Sequence, residues 1–270
     1  MKRYVFHYTV EEVTPYIDWS YLFHAWSVSS TQHAATTQEL VRDAKEILHA
    51  ASGDRCIHAV FALCDATGEG DNIMIEGTCL PLLRQQHSIE GKPNMCLSDF
   101  ISPKGDRIGL FATTVEKTFG SGYANDDYKR IIALVLADRL AEAAATLMHR
   151  SVRTDKKYWG YTPDEKLTTD QLNREEYQGI RPAVGYPSLP DQSIIFIIDN
   201  ILQVGDIGIR LTPNGAMSPH SSVCGLMLSH PASRYFAVGE ITDEQLHDYS
   251  TRRGYSIEEL GRFLCRNIKG

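Results

Sequence analysis

The sequence predicts an α+β fold in which helices pack on an antiparallel sheet. Segments with strand composition are interspersed with capped helical segments, without the regular alternation of a doubly wound fold. Residues 61–77, "FALCDATGEGDNIMIEG", read as two strands joined by a glycine-containing turn, which favours antiparallel pairing. No linker-like stretch divides the 270 residues, so we expect one domain over residues 1–270.

Helices are predicted where capping residues precede apolar residues at helical spacing. Thr36 and Glu39 form a capping box for a helix over residues 38–51, and Asp126 or Asp127 opens the longest helix, which is rich in alanine and leucine. Further helix starts are predicted at Thr162-Pro163-Asp164-Glu165, Thr168-x-x-Gln171, Thr242-x-x-Gln245 and Ser256-x-x-Glu259. The chain is therefore rich in helices that start at defined residues.

The apolar segment "SIIFIIDNILQVG", residues 193–205, is compatible with a buried strand or a helix. Its length and the glycine at its end favour a helix. Strands are predicted for short segments rich in β-branched or aromatic residues and bounded by turn residues. These segments lie at 56–63, 72–77, 107–115, 207–212, 222–229 and 235–241.

Composition excludes several classes of protein. The net charge of −7 argues against general nucleic-acid binding, which needs many basic groups to neutralise phosphates. No apolar run has the character of a signal peptide or the length of a membrane span, so we expect a cytoplasmic protein. The cysteines include no C-x-x-C pair, so we expect reduced, mostly buried thiols and no metal site. They are Cys56, Cys64, Cys79, Cys96, Cys224 and Cys265.

One segment stands out as a candidate binding site. Residues 179–191, "GIRPAVGYPSLPD", surround Arg181 and Tyr186 with prolines and glycines. Proline restricts the backbone and glycine permits close approach, so the segment predicts an extended strip, Ile180 to Ser188, with exposed amides and carbonyls. Arg181 would then suit a ligand carboxylate. The alternative is a rigid surface turn with Arg181 in a structural salt bridge.

The same segment carries a family resemblance. "REEYQGIRPAVGYP" contains the pattern R-x-x-x-G-Y-P at Arg181, Gly185, Tyr186 and Pro187. With "YIDWSYLFHAW", "CLSDFISPKGDRIGLFA", "DDYKRIIALVLADRLAEA", "LTPNGAMSPHSSVCG" and "SHPASRYFAVGEI", it resembles the activation domain of cobalamin-dependent methionine synthase. The resemblance covers nearly the whole chain from about Tyr8.

The resemblance implies a fold and a reaction. The family fold is a single C-shaped domain around a bent antiparallel sheet. The family binds S-adenosylmethionine in a shallow groove and returns oxidised cobalamin(II) to methylcobalamin, with one electron from a flavodoxin-type donor. This chain is thus expected to be the methyltransferase's activation component, inactive alone, with no catalytic acid, base or covalent residue of its own.

The resemblance also implies ligand contacts. Arg181 matches the arginine that faces the methionine carboxylate, and Asp18 matches an aspartate suited to the ammonium group. Glu142 and Glu175 match acidic residues near the sulfonium, although an intrahelical pair with Arg139 remains an alternative for Glu142. The residues expected beside the adenine and along the groove are Ala183, Val184, Gly185, Tyr186, Tyr235 and Phe236.

The chain also departs from the family pattern. The cobalamin motif D-x-H-x-x-G and the homocysteine and folate domains are absent from the 270 residues, so we expect a free-standing module that acts in trans on a cobalamin-loaded partner. Gln192 replaces a histidine thought to help interdomain signalling. Two alternatives stay open: a non-enzymatic S-adenosylmethionine-responsive regulator of a corrinoid enzyme, and a reactivator of a different corrinoid methyltransferase.

Overall fold

The structure is a computed structural model that describes residues 1–25, 34–87, 91, 93–264 and 267–268, without the side chains of residues 23–25 and 34–37. It has the predicted α+β fold, with a curled antiparallel sheet and helices packed against it. No helix within the described ranges is long and apolar enough to cross a membrane.

The strands form one large sheet and one small one. They are β1 (Lys2–Tyr8), β2 (Ile57–Glu69), β3 (Asn72–Ile75), β4 (Thr78–Pro81), β5 (Asp106–Val115), β6 (Arg210–Leu211), β7 (Met217–Ser218) and β8 (Ser222–Met227). The large sheet has the order β4-β3-β2-β5-β8, and β1 pairs with β2. One edge of the long β2 therefore pairs first with β1 and then with β3. Strands β6 and β7 pair with each other.

Helices cover both faces of the large sheet. They are α1 (Val10–Val13), α2 (Ser20–Ala25), α3 (Ala34–Ala50), α4 (Asp127–Thr154), α5 (Thr169–Asn173), α6 (Ile194–Leu202), α7 (Asp243–Arg253) and α8 (Ile257–Phe263). Alternate residues of β2 enter two separate cores, Val60 and Ala62 on one side and Ala59 and Phe61 on the other. The first core contains α6, α7 and α8, and the second contains α1, α3 and α4.

Most predicted helices are confirmed. The side chains of Asp126, Thr168, Thr242 and Ser256 cap α4, α5, α7 and α8 as expected. The ambiguous segment 193–205 forms α6. The helix predicted for residues 38–51 begins earlier, as α3 (Ala34–Ala50), so the prediction that Thr36 caps its start is wrong. The side chain of Thr36 lies outside the described residues.

The helix predicted from Thr162 is wrong, because the end of α4 uses both groups that the capping box needs. The amide of Thr162 donates to the carbonyl of Arg153 at 2.9 Å. The carboxylate of Glu165 accepts two hydrogen bonds from the Arg153 guanidinium, at 2.8 and 2.7 Å. Only one turn remains, closed by the Glu165 amide on the Thr162 carbonyl at 3.1 Å. The ion pair between Arg153 and Glu165 is buried, with side-chain exposures of 1% and 8%.

Two strand predictions also need correction. Residues 235–241 form no strand, because the amides of Phe236 and Val238 donate to Ser188 Oγ and to the Pro187 carbonyl instead of a neighbouring strand. Residues 207–212 contain only the two-residue β6. Strand β1 was missed. Its signal is the alternation of Tyr4, Phe6 and Tyr8, which pack against the second core.

The thiol prediction is confirmed for the cysteines that the structure describes. Cys56, Cys64, Cys96 and Cys224 are buried and free, and Cys79 is free and exposed. Across the described ranges, no group of three or more histidine, cysteine, aspartate or glutamate side chains is arranged to hold a metal ion.

Candidate functional site

A cavity of about 540 Å³ lies between α4, the end of α5 and the segment that contains Arg181. Eight of the predicted site residues line it: Asp18, Glu142, Glu175, Arg181, Ala183, Tyr186, Tyr235 and Phe236. Val184 and Gly185 do not line it. Residues from five separate segments of the sequence thus meet in one cavity, as the predicted ligand contacts require.

The first part of the segment 179–191 runs beside the outer edge of β8. Ile180 and Leu228 exchange two backbone hydrogen bonds of 2.9 Å, and the Leu226 amide donates to the Pro182 carbonyl at 2.9 Å. We call residues 180–184 the edge strip. Gly225 in β8 allows this approach, because a Cβ atom there would lie 2.2 Å from the Pro182 carbonyl oxygen. The glycine therefore sets how closely the edge strip approaches the sheet.

The second part of the segment is a turn. The amide of Tyr186 donates to the Ala183 carbonyl at 3.2 Å, and the amide of Gly185 donates to the Leu189 carbonyl at 2.9 Å. Gly185 has a φ of 83°, and a Cβ atom there would lie 2.6 Å from the side-chain oxygen of Gln192. Glycine is needed at this position on both counts.

The prediction of exposed amides along Ile180 to Ser188 is therefore wrong for most of the strip. The sheet edge and the turn provide acceptors for most of these amides. The amides of residues 180, 184, 185 and 186 donate to the carbonyls of Leu228, Cys224, Leu189 and Ala183, respectively. The Ala183 amide is different. It lies in the cavity lining and has no hydrogen-bond partner among the residues that the structure describes.

Arg181 is a partly buried cation without an ionic partner. Its guanidinium donates to Tyr177 Oη at 3.0 Å and to Thr146 Oγ1 at 2.9 Å. Its backbone amide donates to Tyr235 Oη at 2.9 Å. Within the described ranges no carboxylate lies at ion-pair distance from it, so the structural salt bridge considered above is not found. Its positive charge remains available to the cavity.

Glu142 projects from α4 to the edge of the cavity. One of its carboxylate oxygens accepts a hydrogen bond from Tyr186 Oη at 2.6 Å. Arg139 lies over the ring of Tyr21, 5.0 Å from its centroid, and makes no ion pair with Glu142 in the described structure. The intrahelical pair is thus absent. Burial, and then the nearby Glu142 charge, raise the pKa of Tyr186 above its usual value.

Glu175 occupies a strained position just after α5. Its φ of 56° lies in the left-handed region, which non-glycine residues rarely adopt. Burial raises the pKa of its carboxyl, and the positive charge of Arg181 partly opposes this shift. Strained residues of this kind concentrate at functional sites. The fold thus holds a partly desolvated carboxylate at the cavity in spite of the cost of the strained backbone and the cost of desolvation.

Asp18 faces the cavity from the start of α2. Its Oδ1 atom accepts hydrogen bonds from the amide and the hydroxyl of Ser20, at 3.0 and 2.7 Å. These bonds fix the carboxylate at the helix N-terminus. Its Oδ2 atom has no hydrogen-bond partner among the described residues, so one acceptor oxygen remains for a ligand.

Tyr235 and Phe236 are held by contacts to the turn. Ser188 Oγ donates to the Phe236 carbonyl and accepts from the Phe236 amide, the latter at 3.1 Å. Tyr235 keeps 36% of its surface exposed, while its hydroxyl is used by the Arg181 amide. Its ring, rather than its hydroxyl, is therefore free to contact a ligand.

Asp191 closes the segment and links it to the C-terminal helices. Its Oδ1 atom accepts from the amide and hydroxyl of Ser193, at 2.7 and 2.6 Å. Its Oδ2 atom accepts from Tyr249 Oη at 2.7 Å and from Arg253 Nε at 3.3 Å. All acceptors of this buried carboxylate are used within the fold, so its role is structural.

Sequence reasoning missed two residues that contact Arg181. Thr146 lies four residues after Glu142 on α4, so helical spacing places it on the same face and was a usable signal. Tyr177 carries no such signal, because it lies in an irregular loop. Its position depends on contacts with residues of α4.

Comparisons with known proteins point in one direction. The family profile described as "Vitamin B12 dependent methionine synthase, activation domain" matches residues 9–254. The chain is also similar to a solved structure described as "Crystal Structure of the MetH Reactivation Domain bound to AdoHcy", with 35% sequence identity and a TM-score of 0.93. That alignment covers 100% of this chain and 91% of that chain. Both matches include every segment that lines the cavity.

Proposed function

Because the chain belongs to the activation-domain family of vitamin B12-dependent methionine synthase, we propose that its cavity binds S-adenosylmethionine for the reductive remethylation of cobalamin. The observation that carries this proposal is the Arg181 guanidinium, which has no ionic partner among the described residues, at a cavity that also holds three carboxylates. The MetH reactivation domain, of the same fold, has AdoHcy bound, which is the demethylated product of S-adenosylmethionine.

The amino-acid end of the ligand finds both of its counter-charges in the cavity. Arg181 can donate to the carboxylate with the N–H groups that Tyr177 and Thr146 do not use. The unpartnered Oδ2 of Asp18 can accept from the ammonium group. Opposite charges at two places also fix the direction in which the ligand lies.

The sulfonium requires a different kind of interaction. It has no hydrogen to donate, so only the electric field of nearby charges can favour it. Glu142 and Glu175 both line the cavity and supply this field. The raised pKa of Glu175 reflects a partly desolvated carboxylate, and a cation beside it would stabilise its ionised form.

For the adenine, the edge strip offers one free amide. The Ala183 amide is unpaired among the described residues, and Ala183 lines the cavity, whereas Val184 and Gly185 do not. Tyr235 and Phe236 also line the cavity. We place the adenine against the Ala183 amide and these two rings, beside a backbone that prolines and glycines hold in advance of binding.

The cobalamin would be held by a partner. S-adenosylmethionine supplies an electrophilic methyl group, and the partner's reduced cobalamin supplies the nucleophile. The cobalamin motif D-x-H-x-x-G does not occur in these 270 residues. We propose that residues 1–270 act as one activation unit, in trans, on a cobalamin-bearing methionine synthase partner, with a flavodoxin-type electron donor.

The first test of this proposal is calorimetric titration with S-adenosylmethionine. We expect micromolar-range binding, roughly −7 to −8 kcal/mol. A spermidine titration serves as the control for nonspecific attraction of a cation to a chain with net charge −7. No heat of binding for S-adenosylmethionine from the folded protein would refute the proposal.

The two carboxylates near the sulfonium should set the preference between ligands. We expect Glu142→Gln and Glu175→Gln each to reduce the preference for S-adenosylmethionine over S-adenosylhomocysteine by about threefold, because each removes a screened charge interaction. The measurement is the ratio of the two dissociation constants. If the double glutamine variant keeps the wild-type ratio, the carboxylates are structural.

Binding should also depend on pH through Glu175. Its pKa is raised by burial, so the free protein takes up a proton there as the pH falls. The sulfonium favours the ionised carboxylate. We therefore expect that, as the pH falls through the raised pKa of Glu175, affinity for S-adenosylmethionine decreases more than affinity for S-adenosylhomocysteine does. The Glu175→Gln variant should lose this difference, and persistence of the difference in that variant would assign the proton to another group.

The same shift affects stability. A carboxyl whose pKa is raised in the folded state stabilises the fold below its unfolded pKa and loses that contribution as the pH rises through the folded pKa. Above its raised folded-state pKa, the ionised Glu175 therefore opposes folding. We expect Glu175→Gln to raise the melting temperature of the unliganded protein, measured calorimetrically. A lower melting temperature would contradict this.

A further inference from the structure

The guanidinium of Arg181 is held by two neutral hydroxyl groups. Thr146 Oγ1, which also donates to the Glu142 carbonyl at 3.2 Å, accepts from one nitrogen at 2.9 Å. Tyr177 Oη accepts from another nitrogen at 3.0 Å. A hydroxyl orients a guanidinium without neutralising it, whereas a carboxylate would cancel the charge that a ligand carboxylate needs.

Tyr177 does not line the cavity, and it is itself held on two sides. The Arg153 guanidinium lies over its ring, 4.3 Å from the centroid. The ring of His149 packs edge-on, with centroids 5.0 Å apart. Only 8% of Tyr177 is exposed. Its hydroxyl therefore has a defined position even without a ligand.

Both residues that hold Tyr177 are fixed in turn. Arg153 makes the buried pair with Glu165. His149 Nε2 lies 3.0 Å from Tyr161 Oη. Burial, and then the charges of Arg153 and Arg181, hold the pKa of His149 well below its usual value, so its ring is neutral. Arg153 is thus paired with Glu165, whereas Arg181, which lines the cavity, makes no ion pair among the described residues.

We propose that Tyr177 and Thr146 are positioning residues for ligand recognition, which act through Arg181 by aiming its remaining N–H groups at the ligand carboxylate. This rests on the proposed S-adenosylmethionine site. The buried cluster of His149, Arg153 and Glu165 provides the rigid support behind Tyr177. Neither Tyr177 nor Thr146 supplies charge to the ligand. Their contribution is the orientation of a charge that another residue carries.

The decisive comparison uses two ligands that differ only in the carboxylate. S-adenosylmethionine has it, and decarboxylated S-adenosylmethionine retains the sulfonium and the amine without it. Tyr177→Phe keeps the ring under Arg153 and removes the hydroxyl. We expect this variant to bind S-adenosylmethionine about tenfold more weakly and the decarboxylated ligand with wild-type affinity.

Matched variants separate orientation from general damage. Tyr4→Phe removes a tyrosine hydroxyl that donates to the Lys157 carbonyl at 2.7 Å, outside both the cluster and the cavity lining, so both affinities should stay unchanged. Thr146→Val should behave like Tyr177→Phe, and Thr146→Ser, which keeps the hydroxyl, should restore binding. In an Arg181→Ala background, Tyr177→Phe should have no further effect.

Three outcomes would overturn the inference. These are wild-type affinity of Tyr177→Phe for S-adenosylmethionine, an equal loss of affinity for both ligands in Tyr177→Phe, and a loss of affinity in the control Tyr4→Phe as large as that in Tyr177→Phe. The proposed function fails separately, through a wild-type protein that binds neither ligand. Calorimetry on wild type therefore distinguishes the two failures before any variant is compared.

Discussion

S-adenosylmethionine should bind the Arg181→Ala variant at least about 30-fold more weakly than the wild-type protein, a loss of about 2 kcal/mol or more. The substitution would remove the guanidinium that we expect to pair with the ligand carboxylate. It would also leave Thr146 and Tyr177 without the group that they hold. The loss should therefore exceed that of an exposed charge pair.

Calorimetric titration of the variant provides the measurement, and its melting temperature shows whether it is folded. Arg130→Ala is a suitable control, because it removes a guanidinium from α4 that pairs with Asp127 at 2.8 Å and does not line the cavity. That control should bind the ligand normally. Unchanged affinity in a folded Arg181→Ala protein would remove Arg181 from the site.

The second large expected effect is on methyl transfer from S-adenosylmethionine to cobalamin. The 270 residues alone should transfer no methyl group from S-adenosylmethionine, and a cobalamin-loaded partner should restore transfer. The cavity offers charges that suit the electrophile, while the sequence carries no D-x-H-x-x-G motif for the nucleophile's cofactor. An untethered partner has a much lower effective concentration than a fused domain, so the rate should depend on both protein concentrations.

The test combines the protein, S-adenosylmethionine, a one-electron reductant and a cobalamin(II)-loaded domain, and it follows methylcobalamin by absorption. The Arg181→Ala variant provides the matched control with the site impaired. Transfer with a different corrinoid protein only would favour that protein as the partner. Intact ligand binding without transfer to any cobalamin domain of the same cell would favour a regulatory binding protein.

Local signals in the sequence predicted much of the fold. The capped starts of α4, α5, α7 and α8 depend on contacts within one turn, so the sequence specifies them directly. The predicted helix start at Thr162 is wrong because its capping groups make contacts outside their own turn. Its capping groups are used by Arg153, a residue from the preceding helix, and no local pattern indicates that competition.

The site was predictable in part. The resemblance brought distant residues such as Asp18, Glu142 and Tyr235 into one prediction, and the structure places them around one cavity. The edge strip was harder, because its amides could face either a ligand or the sheet. That choice depends on Gly225, which lies about forty residues further along the chain and allows the strip to approach β8. The position of Tyr177 likewise depends on tertiary contacts.

The edge strip has a second consequence, for solubility. Strand β8 ends the sheet order, and an uncovered end strand is a template for pairing with another molecule. The strip covers it through the backbone groups of Ile180, Pro182 and Val184. On the outward side of the strip the Arg181 amide is used by Tyr235 Oη, so that among the described residues only the Ala183 amide is left to donate to another strand. The edge strip therefore also protects the end of the sheet from pairing with another molecule. Substitutions that loosen it to accept larger ligands should make the protein aggregate before they make it unfold.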